Sequence, residues 1–187
     1  MVGILPLAIL YFAKKKFNNE FILYLISSVL ATAGIIFANY FNIGNSLIFK
    51  SFLICTILFL SFFFLKIFFT KIFKIIVSIL FSVCLIIFFL NNENYFKISL
   101  LIENLTFVIC PILFFLDRIN DSKETKNNSL NIIVSSIFFY KTSTFILFYF
   151  ISELLLNNLW FVHNLIEGIS KLLIAYAFWK LPKTSNF

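Results

Sequence analysis

The sequence predicts an all-α fold, a polytopic bundle of seven transmembrane helices whose first member is short. Three observations carry this prediction. The 187 residues are 61% hydrophobic and only 12% charged, with a mean hydropathy of +1.03, and a water-soluble domain has nowhere to hide that much apolar surface. Long apolar runs recur from end to end, so lipid is the solvent for most of the chain. Basic residues gather in alternate loops, which gives the threading: N-terminus outside, C-terminus in the cytoplasm.

Seven apolar segments follow in order: Met1–Ala13, Phe21–Ala38, Leu47–Phe69, Ile72–Leu90, Ile98–Leu116, Leu130–Leu156 and Leu159–Trp179. A spanning helix needs about 20 residues. The last five segments meet that length, and the second does so by borrowing Asn39 to Phe41. The first gives about 20 Å of helix against a hydrocarbon core of about 30 Å. It is not a signal peptide, because its positive charge follows the apolar stretch. It reads as a short helix or as part of a longer one, with Met1 then not the true start. Residues 1–187 form a single integral membrane domain, with a cytoplasmic loop at 117–129 and a cytoplasmic tail at 180–187.

Lys14, Lys15 and Lys16 follow the first segment, and Lys66, Lys71 and Lys74 flank the third and fourth. Arg118, Lys123 and Lys126 follow the fifth, and Lys180 and Lys183 lie in the tail. The opposite side carries only Lys50 and Lys97. The alternation accounts for most of the +7 net charge without nucleic acid, whose binding would need a basic face on a soluble module.

Phenylalanine, at 29 residues, is abundant together with Ile, Asn and Lys, as AT-rich coding would give, and does not mark an aromatic ligand cage. Cys55, Cys84 and Cys110 sit in apolar runs without paired spacing, as small buried hydrophobes. Neither they nor the single His163 make a metal site, and the chain implies no cofactor.

The candidate site is a set of ionisable groups inside apolar segments. His163, Glu167 and Lys171 stand four residues apart, on one face of a helix. Glu103 and Lys141 lie within the fifth and sixth segments. At insertion costs of about 2.5–3.5 kcal/mol each, the four charged groups would oppose insertion by roughly 10 kcal/mol, so pairing or hydration is expected. Lys141 with Glu167 is the expected ion pair, with Glu103 near His163 or a lysine. Such a cluster either fixes helix packing or marks a pathway. Trp160 and Trp179 bracket the last helix as interfacial anchors, and Pro111 should kink the fifth. Ser135, Ser136, Thr142, Ser143 and Thr144 form a polar band suited to helix contact or to lining a wet cavity.

The segment LWFVHNLIEGISKLLIAYAFWK, with Trp160, His163 three residues on and the closing Trp179, resembles the last helix of a group of uncharacterised bacterial multi-pass inner-membrane proteins. Pro6, the lysine cluster after it and the IEN around Glu103 fit the same pattern. That group is similar to the seven-helix membrane input modules of sensor kinases, without the kinase. Glu167 and Lys171 depart from it by being charged.

The resemblance implies a bacterial inner-membrane protein without a catalytic domain, a sensor-like or accessory module acting through a membrane or signalling partner. Further copies of the chain are compatible with this; nucleic acid is not. An enzyme is disfavoured, because His163 and Glu167 alone supply neither a nucleophile–base set nor a metal pair. The alternative is a small transporter or channel using Glu103, Lys141, Glu167 and Lys171 as a polar path. Charges paired in a dry core favour the first reading, and charges lining a continuous wet cavity favour the second.

Overall fold

The computed structural model describes residues 4–13, 17–41, 44, 46–89, 93–120, 128–150 and 159–181, with side chains for all of these except 46, 49, 93–100, 120, 148–150, 159 and 160. Among them are seven helices and no strand: α1 (Leu5–Phe12), α2 (Asn19–Tyr40), α3 (Ser46–Ile67), α4 (Lys71–Phe89), α5 (Glu93–Asn120), α6 (Asn128–Phe150) and α7 (Leu159–Lys180). Five of them, α2, α3, α4, α6 and α7, are long and apolar enough to cross a membrane. At 28 residues α5 is the longest. The 8 residues of α1 rise only about 12 Å, less than half the thickness of a hydrocarbon core.

Local chemistry sets several of the ends. Pro6 lies in the first turn of α1, where its missing N–H costs nothing and its fixed φ suits the helix. Asn18 caps α2, its Oδ1 accepting from the Glu20 N–H at 3.0 Å and the Phe21 N–H at 3.3 Å. The carboxylate of Glu20 also meets the positive end of the helix dipole there. The turn into α4 is capped from a different helix. Asp117 accepts from the Phe69 N–H at 2.6 Å, the Thr70 N–H at 3.2 Å and the Thr70 hydroxyl.

This corrects the loop expected at 117–129. Asp117 is a buried residue of α5, which continues to Asn120, and α6 already begins at Asn128. Arg118, also on α5, donates to Asn131 Oδ1 of α6 at 3.0 Å and lies over the Phe114 ring. Residues 121–127 and the tail from 182 onward lie outside the described residues, as do Lys14, Lys15 and Lys16. Pro111 sits within α5, which runs through it as one helix.

Each helix packs against its neighbours in sequence, from α2 round to α7. The circuit is closed by α1, which lies against α7 and, less extensively, α2. The Cα atoms of α2 and α7 nowhere come within 8 Å of each other among the described residues. A stack of buried aromatic rings fills the ring of helices near α1. Phe17 lies 5.1 Å from Phe178, Phe21 lies 4.9 Å from Phe63, and Phe64 and Phe81 both meet Phe107. The abundance of phenylalanine thus has a structural use as core filling, whatever its genetic origin.

Contacts between helix ends place one end of the bundle together. Glu20 pairs with Lys66, Asp117 holds Thr70, Arg118 meets Asn131 and Phe17 meets Phe178. This is the α1 end; the other is the far end. The Lys66–Glu20 pair is exposed, with 59% of the lysine side chain accessible, and such pairs contribute about 1 kcal/mol or less.

Candidate functional site

The intramembrane groups expected from the sequence converge inside the ring of helices, in two ion pairs. Lys141 of α6 pairs with Glu103 of α5, both deeply buried. The Lys141 ammonium also lies 5.1 Å from the centre of the Phe107 ring and 5.7 Å from that of Tyr140. A cation between a carboxylate and two ring faces exchanges much of its lost hydration for fixed partners. The expected partner of Lys141 was Glu167. The structure gives Glu167 instead to Lys171, one turn along α7, and Lys141 to Glu103 of α5, the helix before its own in the circuit.

The second pair is tied to a third helix. Lys171 donates to the hydroxyl of Ser28 on α2 at 2.9 Å as well as to Glu167. This bond bridges two helices whose backbones stay apart. Lysine suits the task, because four methylenes carry its head across a gap that a shorter side chain would leave open. Glu167 is the less enclosed partner, with 28% of its side chain accessible against 11% for Lys171.

His163 sits one turn further toward the far end, half-buried, its ring 5.8 Å from that of Tyr140. It feels the charges of Glu167, Lys141 and Lys171. His163 thus lies within electrostatic reach of Lys141, Glu167 and Lys171, and Glu103 joins the cluster through its pair with Lys141. Sequence reading missed three members of the cluster. Tyr24 of α2 feels both Glu103 and Glu167; Tyr140 of α6 feels the same two carboxylates; and Ser28 completes the α2–α7 bridge. The signal was present: a tyrosine deep in an apolar helix carries a hydroxyl that must find a partner.

No family model matches this chain. No curated protein and no solved structure matches it either.

Ser136 of α6, within the polar band, is buried and bonds back to the Ile132 carbonyl at 2.8 Å. Its own carbonyl accepts from the Ser170 hydroxyl of α7 at 3.1 Å. These small residues let α6 and α7 pack closely beside the ion pairs. Ser135 of the same band is exposed, so the band serves helix contact over only part of its width. Trp179 stands outward, 69% exposed, while the side chain of Trp160 is outside the described residues. Cys84 and Cys110 are buried thiols and Cys55 is half-buried. Among the described residues no group of His, Cys, Asp and Glu is arranged to hold a metal ion.

Proposed function

We propose that the chain is a multi-pass protein of the bacterial cytoplasmic membrane that performs no catalysis and works through a partner, as a sensor-like or accessory module. The observation that supports this reading is the pairing of the intramembrane charges. Lys141 with Glu103 ties α6 to α5, and Lys171 with Glu167 and Ser28 ties α7 to α2. Charges engaged in this way hold helices in register and are not offered to a passing solute.

The threading has its own support. The α1 end carries Lys66, Lys71, Arg118 and Lys180, and a basic end faces the cytoplasm under the positive-inside rule. The far end then faces outward.

Two measurements test the reading. Chemical cross-linking in native membranes should recover the chain in a defined complex with another membrane or signalling protein. Purified chain in proteoliposomes should drive no flux of ions or small solutes. A flux that is lost in Glu103→Gln would replace this reading with the transporter.

A further inference from the structure

His163 is the single histidine of the chain, and imidazole is the side chain whose charge changes between about pH 5 and 8. It lies about 6 Å along the axis from Leu159, where α7 begins at the far end. That depth is within reach of interfacial water. His163, Glu167 and Lys171 share one face of α7, so Glu167 stands midway between an imidazole and an ammonium.

Other groups face the imidazole from the helices packed on α7, which are α6 and α1. From α6 come Lys141 and Tyr140, whose ring centre is 5.8 Å from that of His163. The described residues of α1 bring no charge, and its tyrosine, Tyr11, is 80% exposed. Glu167 attracts a proton to the ring, while Lys141 and Lys171 repel it. Tyr24 of α2 and Glu103 of α5 act one step removed, Tyr24 through Glu167 and Glu103 as the partner of Lys141.

Charge counting shows what a proton does here. The carboxylates of Glu103 and Glu167 and the ammoniums of Lys141 and Lys171 sum to zero. A protonated His163 leaves one positive charge uncompensated, which a low-dielectric interior opposes. Glu167 is the carboxylate able to answer it, with 28% of its side chain accessible against 2% for Glu103. Helical side chains also lean toward the N-terminus, which for Glu167 is the side of His163. A carboxylate drawn that way leaves Lys171 with the Ser28 hydroxyl at 2.9 Å. A neutral acceptor does not offset a buried ammonium, so water must enter between α2 and α7. The α1 end of this seam is held by other contacts. Phe21 lies 6.2 Å from Phe178 and Phe17 lies 5.1 Å from it, with α1 packed alongside.

We propose that His163 is a proton-binding site that controls the seam between α2 and α7. The unprotonated ring leaves Glu167 on Lys171 and α7 tied to α2; the protonated ring takes Glu167 and parts the two helices at the far end. The proposal rests on the sensor-like reading and its threading, and it makes the proton on the outward side the stimulus.

The test uses the full chain in proteoliposomes. With isotope-labelled histidine, the single imidazole gives its own NMR signals, and their titration yields the protonation midpoint of His163. Nitroxides on p-acetylphenylalanine, which spare the native thiols, are placed at Ile36 and Leu165 toward the far end. A control pair at Leu23 and Leu173 lies nearer the α1 end, and all four positions are exposed. The Ile36–Leu165 distance should lengthen by about 1–2 Å or more as pH falls from about 8 to 5, with the midpoint found by NMR. The Leu23–Leu173 distance should stay fixed. His163→Gln should hold the short distance at every pH, and His163→Lys, charged throughout, should show the long one even at the upper end of the range. An imidazole that keeps one protonation state across the range would overturn the proposal. So would a titrating imidazole with unmoved labels, or a distance change that survives in His163→Gln. Each of these outcomes leaves the accessory reading standing, since that depends on recovery of a partner. A pH-driven proton flux into the vesicles that His163→Gln abolishes would overturn both, because the histidine would then serve a transport path.

Discussion

Lys141 reaches across the α5–α6 interface to Glu103 and does not pair with Glu167. Glu103 is only 2% exposed, so it has no water to fall back on when that lysine is removed. Lys141→Ala should therefore destabilise the bundle by about 3–5 kcal/mol, the cost of stranding one member of a buried pair. Replacing both residues by methionine should cost far less. Reversible unfolding in mixed micelles provides the measurement.

The same geometry makes a rescue experiment decisive. The double variant Lys141→Glu with Glu103→Lys should recover part of the stability lost by either single change. Lys141→Glu with Glu167→Lys should recover none, because Glu167 belongs to Lys171. The reverse pattern in a double-mutant cycle would contradict the observed pairing.

Asp117 holds the α3–α4 turn with three donors at once. Asp117→Ala should cost about 2–4 kcal/mol, since two backbone N–H groups and a hydroxyl lose a charged acceptor in a part-buried site. Asp117→Asn keeps one acceptor oxygen and should cost less. Proteolysis at the α3–α4 turn would report the local loosening independently of global stability.

Ser28→Ala should cost about 1–3 kcal/mol by removing the acceptor that Lys171 meets on α2. Ser28→Thr keeps the hydroxyl and should restore most of it. Distances between spin labels on α2 and α7 should lengthen in the alanine variant and not in the threonine one.

A topology reporter fused after Phe187 should report a cytoplasmic end. A signal from the opposite side would reverse the threading that the lysines and Arg118 imply.

Most of the helices were legible in the sequence because lipid demands long apolar runs and backbone bonding within each segment. The pairings were not. Position along a helix can be counted, which placed Glu103, Lys141, Glu167 and Lys171 at related depths. Rotation about the axis and the choice of neighbour depend on packing that no single segment encodes. Two cues were nonetheless available. Glu167 precedes Lys171 by four residues, the favourable order for a pair within one helix. Glu103 and Lys141 lie on consecutive helices, which short connections make neighbours. Asp117 was misread for a different reason. A carboxylate beside Arg118 and a polar stretch looks like solvent-exposed loop, and only the fold shows that it caps another helix.

Because α1 leans chiefly on α7, a helix that leaves the ribosome early must await one made much later. At about 5–20 residues per second, translation of the intervening chain takes roughly ten to thirty seconds. Throughout that interval α1 has only its limited contact with α2. Synthesis order and assembly order thus run opposite ways at this joint, and the ring can close only when α7 has been made.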